Sequence, residues 1–251
     1  MLIPIILYHA VVAGGDPFSV HPALFRQQID AVRDSGRTPL TVSGLAAALT
    51  GRAPLPARPV VVTFDDGTAD FVQAALPHLL AAGLPATLYV TTAQIGRPGM
   101  LSWHEVGQVA ATGVEVGAHS RNHPHLDTVR RRRLQREITQ SRSDVEHHLE
   151  RPCRSFAYPH GSYTRTVRDL VAASGFTSAV AVRDAFSHEA DDVFALARLT
   201  VRRDADPEKV AGWLAGSGAP RSSPHELLRT TVFRQIRRAR ALVRPVPEAI
   251  P

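Results

Sequence analysis

Seven short β-branched runs alternate with amphipathic stretches along the first 215 residues, and that alternation limits the fold more than any other feature. The runs are Ile3–Tyr8, Val60–Phe64, Thr87–Thr91, Val114–Ala118, Ser155–Tyr158, Ser178–Val182 and Ala195–Val201. Between them, Pro22–Ser35, Val42–Leu49, Ala69–Ala82, Ser102–Ala111, Arg130–Leu149, Thr164–Ser174 and Pro207–Leu214 repeat apolar residues at helical spacing. Ser102 and Glu105 form a capping-box pattern, and Pro77 predicts a kink or a fresh start within 69–82. Strands joined through helices run parallel. The expected fold is therefore α/β. Seven such strands in one body of about 215 residues fit a closed (β/α) barrel better than two domains.

Charge separates the chain into two parts. The net charge is +6, and residues 216–251, with seven arginines against two glutamates, carry +5 of it. A nearly neutral body argues against a broad nucleic-acid footprint, so no nucleic-acid partner is expected. The Gly216–Pro224 stretch reads as a linker, dividing a catalytic domain at 1–215 from a basic tail at 216–251. In that tail Leu228, Val232, Phe233, Ile236, Ala239 and Val243 recur at helical steps, with arginines between them. This is a basic amphipathic C-terminal helix pattern, open to docking on the body or to peripheral contact with an anionic membrane through residues 221–244. No run of about 20 apolar residues exists, and Met1–Tyr8 lacks a basic leader, so the expected location is cytoplasmic, including the inner face of a membrane. Cys153 is the single cysteine, which excludes an intrachain disulfide and any zinc site with two thiolates. Metal ligands, if present, are His, Asp or Glu.

Two strand ends carry chemistry. Val60–Phe64 runs into Asp65-Asp66-Gly67, and Val114–Ala118 runs into His119-Ser120-Arg121-Asn122-His123-Pro124-His125-Leu126. In parallel α/β folds ligands bind beyond the carboxyl ends of strands. Adjacent carboxylates repel unless a cation or proton separates them, and two imidazoles can share a divalent metal. Each stretch alone also reads as a turn or helix cap with exposed polar residues. Together they point to a site.

These segments resemble the polysaccharide deacetylases, the NodB homology domain of carbohydrate esterase family four. Thr63-Phe64-Asp65-Asp66-Gly67 is similar to that family's first motif, and His119–Leu126 to its second, His-Ser/Thr-x-x-His-Pro-x-Leu. Ser155-Phe156-Ala157-Tyr158-Pro159-His160-Gly161-Ser162-Tyr163 is similar to the third, and Tyr8-His9 to the opening of a subgroup with circularly permuted motifs. The resemblance covers about residues 3–215 and implies a distorted, NodB-like (β/α) barrel of about seven strands. It implies metal-dependent removal of an N-acetyl group from an amino sugar, glycan or glycan precursor. By position, Asp66, His119 and His123 match the metal ligands, most often of Zn²⁺, and Asp65 matches the catalytic base.

The same resemblance implies that His9 is the acid protonating the leaving amine, since neither of the late runs Ser178–Val182 and Ala195–Val201 carries a histidine. It implies that the His160 N–H donates to the oxyanion, with His160 and Tyr158 among the substrate contacts. Two departures stand out. Ala157 occupies the place of an arginine that orients the base, and His160 the place of a tyrosine. Arg198 either replaces that arginine or is an ordinary strand-end charge. Trp103 either stacks on a sugar ring or anchors the helix it begins. Alternatives to the deacetylase are an inactive carbohydrate-binding relative, disfavoured because Asp65, Asp66, His119 and His123 are all present, and a metal-dependent esterase or amidase acting on a small substrate.

Overall fold

A computed structural model describes residues 1–223 of the chain. The strands are β1 (Leu2–Ile3), β2 (Ile5–Tyr8), β3 (Thr38–Leu40), β4 (Pro59–Phe64), β5 (Thr87–Val90), β6 (Glu115–Ala118), β7 (Ser155–Ala157), β8 (Ser178–Val180), β9 (Ser187–His188) and β10 (Leu199–Thr200). The helices are α1 (Pro22–Asp34), α2 (Val42–Leu49), α3 (Leu76–Ala81), α4 (Trp103–Ala111), α5 (Arg131–Leu149), α6 (Arg165–Ala173) and α7 (Pro207–Leu214). Seven parallel strands follow the path β10-β2-β4-β5-β6-β7-β8, as the alternation predicts. A single parallel bridge, Val180 to Leu196, joins β8 to the chain entering β10, so the ring closes through residues 196–200.

The barrel is distorted at identifiable places. β4 changes partner halfway along, pairing with β3 over Pro59–Val61 and with β5 over Thr63–Phe64. β3 escapes sequence reading because it is three residues long and centred on Pro39, which strand patterns disfavour away from edges. The run Ala195–Val201 contributes only Leu199–Thr200 to a ladder, because it bridges two neighbours at different heights. In 69–82, a π-turn at Phe71–Ala75 precedes α3. Pro77 lacks an N–H and would press on the carbonyl four residues back, and the wider turn relieves both problems. The capping box at α4 is complete, with the Glu105 N–H donating to Ser102 Oγ at 3.2 Å and the Ser102 N–H donating to Glu105 Oε2 at 2.7 Å.

Alternation along the strands sorts side chains into two cores. Val60, Val62, Phe64, Leu88, Val90, Phe156 and Tyr158 face outward under the helices. Ile5, Val61, Tyr89, Ala157, Val180 and Leu196 fill the lumen, with Val42 and Leu45 of α2 packed against them. Glu115 anchors a polar cluster lower in the lumen, accepting from Thr87 Oγ1 at 3.0 Å, Ser155 Oγ at 2.8 Å and the Ser43 hydroxyl. Gly117 makes room for this filling: a Cβ there would lie 2.5 Å from the Tyr89 ring and 2.7 Å from Ser155 Oγ. Gly117→Ala is therefore expected to destabilise the barrel by about 1–3 kcal/mol, the usual cost of overpacking. Thermal melting checks this, and an unchanged Tm would mean the lumen has slack.

The stretch read as a linker is fastened to the body at 220–222. Phe186 N–H donates to the Pro220 carbonyl at 2.8 Å, and Ser222 Oγ donates to half-buried Asp191 at 2.7 Å. The predicted basic helix, with its apolar stripe from Leu228 to Val243, lies outside the described residues. Among the described residues no helix is long and apolar enough to cross a membrane.

Candidate metal centre and active site

The same alternation that fills the lumen aims functional groups at its upper rim. Thr63 follows Val61 on the inner face of β4, and Asp65 follows Thr63 just past the strand end. His119 stands just past β6, two residues beyond inward Gly117. Past these ends the backbone is strained. Six non-glycine residues among those described have positive φ, and four of them are Asp66 (75°), Ser120 (59°), His123 (60°) and His160 (57°). Each such residue costs roughly 1–3 kcal/mol, which concentrates strain where side chains must be re-aimed.

Asp66, His119 and His123 converge. Nε2 of His119 lies 3.1 Å from Nε2 of His123 and 3.6 Å from Oδ1 of Asp66, and the His123–Asp66 separation is 3.4 Å. Tetrahedral ligands on a metal with bonds of about 2.0–2.1 Å would stand about 3.3–3.4 Å apart. These three atoms fit that spacing. His119 Nδ1 lies 2.8 Å from the Ala157 carbonyl, which can only accept, so Nδ1 carries the proton and Nε2 turns its lone pair to the cluster. Burial pushes the His119 imidazole down to about 3 and also lowers His123, so both rings are neutral, the form that ligates a metal.

The two carboxylates are driven apart. Burial would raise Asp65, but the Arg198 charge, the neighbouring His119 and the hydrogen bonds from Arg198 together outweigh it and hold the carboxyl well below the usual range. Burial together with the negative charge of Asp65 raises Asp66 to about 6. Without a cation, a proton on Asp66 relieves the pair, and a divalent ion at the same place would do so more strongly. Arg198 is fully buried and grips Asp65 with two parallel bonds of 2.7 Å, NH1 to Oδ1 and NH2 to Oδ2. Its Nε donates to the Ala181 carbonyl at 3.3 Å, and its guanidinium lies over the Tyr89 ring at 5.7 Å. Arg198 is therefore a buried partner of Asp65 and not an exposed strand-end charge.

The other sequence-derived residues divide. His9 follows β2 beside β4, where the Asp65 N–H donates to the Tyr8 carbonyl at 3.0 Å. Its Nδ1 is buried and has no hydrogen-bond partner among the described residues. His160 stands at the rim, 4.4 Å from His123 ring to ring and stacked on His125 at 3.8 Å. Tyr158 corrects the reading of it as a substrate contact. It lies on the outward face of its strand, wholly buried, with its hydroxyl donating to the Phe194 carbonyl at 2.8 Å. Trp103, at the start of α4, is stacked on His148 of α5 at 4.1 Å. Sequence reading missed Asp70, whose Oδ2 accepts the Val11 N–H at 2.6 Å and ties down the loop after His9. It also missed Glu137, although a carboxylate within the apolar stripe Leu134–Ile138–Val145 was a visible signal.

A parallel (β/α) barrel with a metal-type triad and an arginine-held carboxylate at the carboxyl ends of its strands has the build of a hydrolase. The chain belongs to the polysaccharide deacetylase family, whose model matches residues 52–179. The Bacillus subtilis protein YxkH is 24% identical over 199 residues, 79% of this chain and 71% of that one. The Escherichia coli poly-β-1,6-N-acetyl-D-glucosamine N-deacetylase is 28% identical over 120 residues, 41% of this chain but 18% of that enzyme. Among solved structures, the Streptococcus pyogenes deacetylase PplD in complex with acetate superposes with a TM-score of 0.78 at 25% identity, covering 84% of this chain and 96% of that one. IcaB from Ammonifex degensii gives 0.74 at 26%, covering 85% and 97%.

Proposed function

We propose that this protein is a metal-dependent N-deacetylase acting on an N-acetylated amino sugar within a glycan or glycan precursor. Asp66, His119 and His123 would hold the metal, and their nitrogen and oxygen donors suit Zn²⁺. The observation that carries the reading is the pairing of that triad, 3.1–3.6 Å between ligand atoms, with a second carboxylate locked beside it by Arg198. A bound divalent ion would polarise the acetyl carbonyl and acidify a water molecule. Asp65 accepts that water's proton. Its two oxygens offer about four lone-pair sites, so the two bonds to Arg198 leave it able to act as a base. His9 delivers a proton to the nitrogen as the amide C–N bond breaks, leaving acetate and a free amine. The activity in the name of the E. coli relative supports an N-acetylglucosamine-type substrate.

The test is acetate release from N-acetylglucosamine oligomers. Chelation should remove activity, and Zn²⁺ should restore it. Asp66→Ala should lower bound metal and turnover together, because it removes one of three ligands. Full activity in chelated, metal-free protein would overturn the proposal. Release from O-acetyl esters but not from N-acetyl sugars would turn it into an esterase.

A further inference from the structure

We infer that Glu137 on α5 is a positioning residue for the metal centre, holding the strained turn that delivers His123. The inference rests on the reading of Asp66, His119 and His123 as ligands.

The turn from His119 to His123 contains two left-handed non-glycine residues, Ser120 and His123. A conformation of this kind persists only when its surroundings over-determine it. One restraint is local, the His123 N–H donating to Ser120 Oγ at 3.0 Å. Three more end on a single residue of α5. The Arg121 N–H donates to the Glu137 main-chain carbonyl at 3.1 Å. The Asn122 N–H donates to Glu137 Oε2 at 2.8 Å, and Asn122 Nδ2 donates to Oε1 at 3.0 Å. Both carboxylate oxygens are thus spent on the residue immediately before His123.

Packing alone would not select this side chain. Glu137 is 3% exposed and shares the apolar face of α5 with Leu134, Ile138 and Val145. A buried carboxylate is costly unless it is hydrogen-bonded, and an apolar residue would fill that face without the cost. Arg133, one turn earlier and 3.5 Å away, supplies a countercharge. The arrangement makes sense if the turn must be held to fractions of an ångström, as metal ligands require. His123 Nε2 has only 3.1 and 3.4 Å to its two co-ligands, so a shift of about 1 Å in the turn would break the constellation.

Glu137→Gln in the full chain tests this, since it keeps the size and one acceptor. In metal-free protein, amide exchange at Asn122 should speed up about tenfold or more, since a bond to a charged acceptor is lost. Affinity for Zn²⁺ should fall about 10–100-fold, with kcat at saturating metal changing less. Adding Asn122→Asp should restore the pair in reverse polarity, with the side-chain amide introduced on α5 donating to the carboxylate introduced in the turn, and should recover most of the Zn²⁺ affinity. Wild-type Zn²⁺ affinity and wild-type exchange in Glu137→Gln would overturn the inference. So would a loss that tracks the melting temperature and is not rescued by the second change. A wild-type chain that binds no divalent ion would instead overturn the ligand reading itself.

Discussion

Arg198→Ala is expected to reduce both stability and turnover. Arg198 is fully buried and Asp65 is 2% exposed. Removing one partner leaves an uncompensated buried carboxylate, at a cost of about 3–5 kcal/mol. In a domain of this size that lowers Tm by on the order of 10 °C. The fraction that folds should turn over about 10²–10⁴-fold more slowly, the usual weight of a general base. The reason is that burial, no longer opposed by the guanidinium, pushes the Asp65 carboxyl upward. The acid limb of the pH–rate profile should accordingly move to higher pH, since the base must be deprotonated to act. Arg198→Lys should recover part of the stability but not the aim, because an ammonium cannot reproduce two parallel bonds. Melting curves and pH profiles of the two variants check this. A wild-type Tm in Arg198→Ala would show that the pair contributes nothing.

Asp65→Asn should stop catalysis without emptying the metal site. The amide cannot take a proton from water, so kcat should fall about 10²–10⁴-fold. Bound metal should remain, because the nearest approach of Asp65 to a ligand nitrogen is 3.7 Å and both its oxygens are held by Arg198. Asp66, by contrast, approaches both imidazoles, at 3.4 and 3.6 Å. Metal content measured beside turnover separates the two roles. If Asp65→Asn loses its metal, the two carboxylates exchange assignments.

Much of this was legible from periodicity. The seven parallel strands and the capping box at Ser102 follow from local pattern, because pattern reports which face of an element is buried. The period of two also contains the correction at Tyr158. It is one residue after inward Ala157, so it must face the helices, and the motif resemblance outweighed a register argument already present in the sequence. β3 and the π-turn at Phe71–Ala75 were not legible, because each answers to a proline whose effect depends on its neighbours.

By itself the sequence determined which residues face the lumen and which strand ends carry acids and histidines. It did so because alternation along a strand and motif spacing are local. Only the tertiary structure decided which of these meet. Arg198 lies 133 positions from Asp65, and nothing in that separation encodes 2.7 Å. The distance exists because residues 196–200 close the ring between β8 and β2, bringing the last strand beside the carboxylate. Glu137 reaches Asn122 for a similar reason: α5 packs back along β6, and the crossing height of helix and strand sets which side chain meets the turn. Contacts of this kind are consequences of closure and packing, and a one-dimensional pattern carries neither.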